Sequence, residues 1–172
     1  MVTLRDATPA DALDIATVHV ESWQVGSRGL MPDEVLDGLS ISTRERWWHE
    51  TLSGSGERST LLAADERSVL GFAAVGPGRD GDPVVGELYA MYLCPAAWGR
   101  GIGCRLHAAA MARLRAFGFE RASLWMLAGN QRALRFYRRE GWVADGRSKL
   151  VTGPGGVELE HRGMVRPLAR AT

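Results

Sequence analysis

The stretch Leu93-Cys94-Pro95-Ala96-Ala97-Trp98-Gly99-Arg100-Gly101-Ile102-Gly103 is where residue type and spacing first point to chemistry. Glycines at alternate positions let several backbone N–H groups converge where an apolar strand hands over to a helix. A helix N-terminus with free amides is a ready anion site. Two familiar phosphate loops fail here. The dinucleotide fingerprint requires glycine at position 104, which is Cys104, and the P-loop requires Lys followed by Ser or Thr, which is absent. The same glycines would also suit a connection that only lets the helix pack close to the sheet.

Other chemistries find little support. His19, His49, His107 and His161, with Cys94 and Cys104, lack the close paired spacings of a zinc site, so no metal is expected. The two cysteines read as partly buried thiols rather than a bridge. Twenty-one Lys and Arg against 20 Asp and Glu leave a net charge of +1. No global basic field exists to draw in nucleic acid or an anionic membrane, and neither is expected as a partner. Met1-Val2-Thr3-Leu4-Arg5-Asp6 lacks the features of a signal peptide, and no stretch reaches the ~18 apolar residues of a spanning helix, so a cytoplasmic location is expected.

The elements that must position the glycine loop follow from periodicity. Val2 to Ala7 alternates as a short strand, and Thr8-Pro9-Ala10-Asp11 reads as an N-cap, a first-turn proline and a first-turn acid. Ala12, Ile15, Ala16, His19 and Trp23 then form a helical stripe. Two short helices are expected at Asp33 to Leu39 and Thr43 to Leu52, ended by Gly54-Ser55-Gly56. Strands follow at Thr60 to Ala64, Val69 to Val75 and Val84 to Leu93, with a Gly, Pro and Asp loop over Gly76 to Pro83. A long helix is predicted from Gly99 to Phe117, with Ile102, Leu106, Ala110, Leu114 and Phe117 on one face and Gly118 as its stop. Ala122 to Ala128 is strand-like, and Asn130 caps a helix carrying Ala133, Phe136 and Tyr137. The tail reads as a hairpin, Trp142 to Val151 and Val157 to Val165, turned at Gly153-Pro154-Gly155-Gly156. Strand, helix, strand, helix in the middle suggests a parallel crossover. At 172 residues, with no internal repeat, one domain over 1–172 is expected.

With these residues in view, the chain resembles the GNAT acetyltransferases. Their central pattern is Gln or Arg, two residues, Gly, one residue, then Gly or Ala, and Arg100-Gly101-Ile102-Gly103 matches its core. One departure is plain, since Trp98 stands where the polar residue usually does. The likeness continues over Leu124 to Trp142, with Asn130, Ala133, Phe136-Tyr137 and Gly141-Trp142, and begins upstream at Gly86-Glu87-Leu88-Tyr89-Ala90-Met91-Tyr92. Residues 1 to 56 match only in general pattern.

The resemblance implies an α/β fold: a mixed, mostly antiparallel twisted sheet of about seven strands, flanked by helices, whose central parallel pair splays to hold the pantetheine arm of acetyl-CoA. Acetyl-CoA is then the cosubstrate, held by Met91, Leu93, Trp98, Gly99, Arg100, Gly101, Ile102, Gly103, Asn130 and Phe136. The Met91 amide is the implied oxyanion donor. The implied reaction is direct attack by a primary amine of a small molecule, with Glu87 as base, directly or through water, and Tyr137 as the acid for the departing thiolate. Each also has a plainer reading, Glu87 as a strand-end carboxylate and Tyr137 as a core aromatic. Trp23 and Tyr89 are implied walls of the acceptor pocket, with Trp47 and Trp48 as further candidates, although all four would also serve as core. Glu21, Asp33 and Glu34 offer negative charge to a cationic acceptor, or are solvated helix faces. Acetylation of a protein N-terminus or lysine, and a CoA-binding sensor without catalysis, are the competing readings. Homodimerisation stays open.

Overall fold

The computed structural model describes residues 1–54 and 56–168. Ser55 of the expected breaker and the last four residues of the expected 1–172 domain lie outside the described residues. The chain opens with β1 (Thr3–Asp6) and a single 3-10 turn (Pro9–Asp11), then α1 (Ala12–Gly26), α2 (Asp33–Asp37) and α3 (Ile41–Ser53). β2 (Ser59–Ala64), β3 (Val69–Pro77), β4 (Val85–Leu93), α4 (Ile102–Ala116), β5 (Arg121–Leu127), α5 (Gln131–Arg139), β6 (Val143–Thr152) and β7 (Glu158–Pro167) follow. The sheet has seven strands in the order β1-β2-β3-β4-β5-β7-β6. β4 and β5, joined through α4, are its parallel pair, and the other neighbours are antiparallel. No described helix is long and apolar enough to cross a membrane.

Local chemistry accounts for where elements begin and end. The Thr8 N–H donates to Asp11 Oδ2 at 2.8 Å, and Arg5 holds the same carboxylate, so the first helical turn is pinned to β1. α3 starts at Ile41 rather than Thr43, because Ser40 Oγ accepts the Thr43 N–H at 3.2 Å and caps the helix there. α2 stops at Asp37, before Leu39, where Gly38 follows. α4 starts at Ile102 and not at Gly99. Gly99 and Gly101 both sit at φ 74°, a left-handed conformation incompatible with a helix interior. Trp142 precedes β6 and is core, 1% exposed, with its Nε1–H donated to His107 Nε2 at 2.9 Å.

The sheet has a packed layer on each face. Between the sheet and the α4 and α5 layer lie Leu61, Val75, Leu88, Leu106, Leu114, Leu124, Trp142 and Met164. Between the sheet and the α1 and α3 layer lie Ile15, Trp48, Leu62 and Phe72, with the Trp48 and Phe72 rings edge to face at 4.9 Å. Between them β3 is buried from Val69 to Gly76.

β4 departs from regularity where it matters. Ala74 pairs with Ala90 but the next residue, Val75, pairs with Leu88, so Tyr89 is an extra residue and β4 bulges. The β4–β5 pairing, Val85 to Leu88 against Arg121 to Leu124, stops at the same level. Beyond it the two strands no longer pair with each other, while β4 runs on beside β3 to Leu93 and β5 beside β7 to Leu127. The expected splay is thus present.

Candidate active site

The opened strand edge carries free donors. Cys94 donates to Leu70, and Tyr92 faces Phe72 in the same ladder, so even-numbered residues bond to β3. Antiparallel alternation then turns the backbone groups of Met91 and Leu93 to the other side, where β5 has left. The Leu93 carbonyl is already used. Ser22 Oγ donates to it at 2.7 Å and Trp98 Nε1 at 2.9 Å. Its N–H is what remains for pairing with a ligand, along with both backbone groups of Met91.

Just beyond, the loop through Gly99, Arg100 and Gly101 delivers the chain to the N-terminus of α4. A Cβ built on Gly99 or Gly101 would meet nothing within 4 Å, so open space adjoins the first amides of the helix. This suits a pyrophosphate. Arg100 is exposed beside it, Ile102 is 3% exposed and anchors the helix in the core, and Gly103 brings Phe136 within 3.5 Å of where its Cβ would lie. Asn130 caps α5 by accepting the Ala133 N–H at 3.0 Å. Trp98 turns inward: besides its bond to Leu93, its ring carries the Arg132 guanidinium 3.3 Å from the centroid. It therefore braces the end of β4, and the loop amides stand without the polar side chain usual at this position.

On the α1 and α3 face, a cavity of about 1120 Å³ reaches the splayed strands. Trp23, Trp47, Trp48, Tyr89 and Glu34 line it, as the sequence led one to expect. Trp48 is 1% exposed and Trp47 48%, so core and rim divide between neighbours. Glu21 lies away from this cavity, and Asp33 pairs with Arg28. His19 also lines it, stacked on Tyr92 with ring centres 4.7 Å apart and accepting from Trp48 Nε1 at 3.2 Å. Burial, with Arg44 nearby, pushes His19 down to about 3, so it is neutral at physiological pH.

Glu87 is neither a surface carboxylate nor an open one. It is 1% exposed on β4, and Arg79 holds it three ways: the Arg79 backbone N–H reaches Oε2 and Nε reaches Oε1, each at 3.0 Å, and Nη2 also bonds Oε1. Arg79, not Glu87, lines the cavity. Tyr137 is half-buried on the opposite face, edge to face with Phe136 at 5.4 Å and with Trp142 at 5.9 Å. Its hydroxyl makes no hydrogen bond among the described residues. Burial, and then the charge Tyr92 would carry, push its pKa well up, so the phenol keeps its proton. The structure gathers Trp23, Tyr89 and Arg79 around one cavity and sets Met91, Leu93 and the glycine loop along the splay. It does not bring Glu87 and Tyr137 into contact.

Sequence reasoning did not assign Arg79, Tyr92, Trp125, Lys149 or His161 to the acceptor site, although all lie in the cavity wall. Arg79 lies in the Gly, Pro and Asp loop, and the basic and aromatic residues of the final strands carried no motif. Among the described residues no group of His, Cys, Asp and Glu is placed to hold a metal ion.

A mostly antiparallel sheet split at its parallel pair, with an amide-lined helix start beside the split, is the architecture of a CoA-using acyltransferase. The family model described as "Acetyltransferase (GNAT) family" matches residues 20–142. The chain belongs to this family and is an acetyl-CoA-dependent N-acetyltransferase. It is 36% identical over 141 residues to the uncharacterised N-acetyltransferase YuaI of Bacillus subtilis strain 168, covering 80% of this chain and 78% of YuaI. A mycothiol acetyltransferase of Mycobacteroides abscessus is 31% identical over 139 residues, 78% of this chain and 43% of that protein, so the chain spans less than half of that relative. The PaiA N-acetyltransferase of Thermoplasma acidophilum, solved in complex with coenzyme A, shares the fold with a TM-score of 0.70 at 18% identity, covering 97% of this chain and 99% of that one.

Proposed function

We propose that the enzyme acetylates a primary amine of a small molecule seated in the aromatic cavity. The observation that carries this reading is that the cavity opens where β4 bulges and parts from β5. An acceptor entering from the α1 and α3 face would meet an acetyl group carried along the opened strand edge. α1, α3 and the β6–β7 turn wall the cavity, which favours a compact acceptor over an extended peptide. The likeness to mycothiol acetyltransferases supports a small acceptor as well.

The amides from Gly99 to Gly103 would hold the pyrophosphate of acetyl-CoA, and the Leu93 N–H and Met91 carbonyl its pantetheine arm. Acetyl-CoA supplies the activated acetyl group. The Met91 N–H then serves as oxyanion donor, a role typically worth ~3 kcal/mol. Alkyl ammonium groups titrate near ~10, so the acceptor must lose a proton before attack. Glu87 takes it through water, once the half-exposed Arg79 side chain swings toward solvent. Tyr137, still protonated, gives a proton to the thiolate.

Release of free CoA from acetyl-CoA over small amines, polyamines, aminoglycosides, amino acids and short peptides, against a blank without acceptor, tests the reading. Acceptor-dependent release with small amines is expected. Release confined to peptides, or silence while acetyl-CoA still raises the melting temperature, would overturn it.

A further inference from the structure

One wall of the cavity carries a buried hydrogen-bond donor without a partner, and beside it a cation without an ion pair, among the described residues. Trp125 of β5 lines it, and the indole N–H is buried without a partner among the described residues. A buried donor left unpaired is costly, and in native structures it marks a group waiting for an acceptor. Lys149 of β6 sits over the same ring with Nζ 3.9 Å from its centroid, and it enters no ion pair among the described residues. His161 of β7 is directly opposite Lys149 in the ladder, and both line the cavity. The His161 Nδ1 lies 3.1 Å from the Leu159 carbonyl, which makes Nδ1 the donor there; Nε2 of the neutral ring is then an acceptor, so His161 borders the wall without adding a donor to it.

The acids near this wall are engaged elsewhere. Glu87 is held by Arg79, and Asp80 and Asp145 by Arg147. Across the whole lining Arg44, Arg58, Arg79 and Lys149 face a single acid, Glu34. Even with Glu87 set against Arg79, positive charge is in excess. Burial first, then Lys149 and Arg79, lower the His161 pKa against the Leu159 hydrogen bond, and burial first, then Arg79 and Arg147, lower that of Lys149 against Glu87 and Asp80. What the wall lacks is an acceptor of hydrogen bonds that also carries negative charge.

We propose that Lys149 and Trp125 form an anion subsite, so that the amine acceptor also bears a carboxylate or phosphate, with Trp23 and Tyr89 covering its apolar part. This rests on the reading of the cavity as the acceptor site. The substrate class it names is amino acids and amino phosphates rather than simple amines or polyamines.

Two measurements test it. Calorimetry with 3-phenylpropionate and with inorganic phosphate, neither of which can be acetylated, reads the subsite without turnover and separates carboxylate from phosphate. Saturable binding of at least one is expected, weakened about tenfold or more in Lys149→Met, as befits loss of a charge-assisted bond, and retained in Lys149→Arg. In kinetics, kcat/KM for L-phenylalanine against 2-phenylethylamine, and for phosphoethanolamine against ethanolamine, should favour the anionic member of at least one pair by about tenfold or more. That preference should collapse in Lys149→Met. Equal anion binding by parent and Lys149→Met, or none by the parent, refutes the subsite. Anion binding that depends on Lys149, without acetylation of any cavity-sized amine, instead refutes the acceptor reading and leaves the subsite standing.

Discussion

Replacing Glu87 with glutamine separates a base from an anchor. The amide can keep one oxygen toward the Arg79 guanidinium, but its NH2 then meets the Arg79 backbone N–H, which now donates to Oε2 at 3.0 Å. Two donors facing each other at a site 1% exposed cost about 1–3 kcal/mol. The lost ion pair adds no more than about 1 kcal/mol, because the Arg79 side chain is 57% exposed and solvent screens it. A total near 2–3 kcal/mol lowers the melting temperature by roughly 5–10 °C in a chain of this length. If Glu87 also accepts the proton, kcat falls by about 10²–10⁴ and the acetyl-CoA Kd barely moves. Arg79→Met supplies the comparison. It also destabilises the fold, since it strands a buried carboxylate, but it leaves the base in place, so kcat should fall less than about tenfold. Kinetics on the acceptor found by CoA release, run well below both melting transitions, decide the matter. Equal and small losses of kcat in the two variants, tracking their melting temperatures, refute the base and leave Glu87 as the tether of the Gly78–Pro83 loop.

Tyr137→Phe should lower kcat by about 10²-fold with little change in acetyl-CoA affinity or melting temperature, since the hydroxyl has no partner among the described residues to lose; unchanged turnover by CoA release would remove it as the acid. Gly101→Ala should cost about 1–2 kcal/mol of stability from its φ of 74°, and should raise the acetyl-CoA Kd by more than that strain alone implies, because the methyl enters the space at the start of α4; titration calorimetry beside urea unfolding compares the two. His19 is held neutral in the fold, near 3 against about 6.5 unfolded, so the stability it confers is present above pH 6.5 and is lost as pH falls toward 3. Between pH 7 and pH 5 this amounts to about 2 kcal/mol, and urea unfolding at the two pH values should show a correspondingly smaller drop in His19→Gln. An equal drop in both proteins would mean that His19 is not the group responsible.

Much of the fold was readable because its signals are local. The α4 stripe, the stop at Gly118, the Asn130 cap and the glycine turn of the final hairpin each depend on residues a few positions apart, and each took the expected form. Helix starts were less legible. Ser40 capping Thr43 moved α3 forward, and the left-handed glycines held α4 back to Ile102. At the site, the glycine loop was recognisable by spacing, but the state of Glu87 was not. Its partner Arg79 lies in a loop with no periodicity, and the two meet only because β3 and β4 fold back on each other beside it. Trp125, Lys149 and His161 share a wall for a similar reason. They come from three strands whose alignment is a property of the assembled sheet.

The parallel seam of the sheet has a mechanical consequence. Four residue pairs tie β1 through β4 to β5 through β7, and past Leu88 and Leu124 the two leaves stand apart like the covers of a half-open book. On the proposed reading, a cosubstrate whose arm bonds along the inner edge would act as the clasp, and by mass action would make the folded body harder to unfold. Added acetyl-CoA should then raise the melting temperature in a concentration-dependent way.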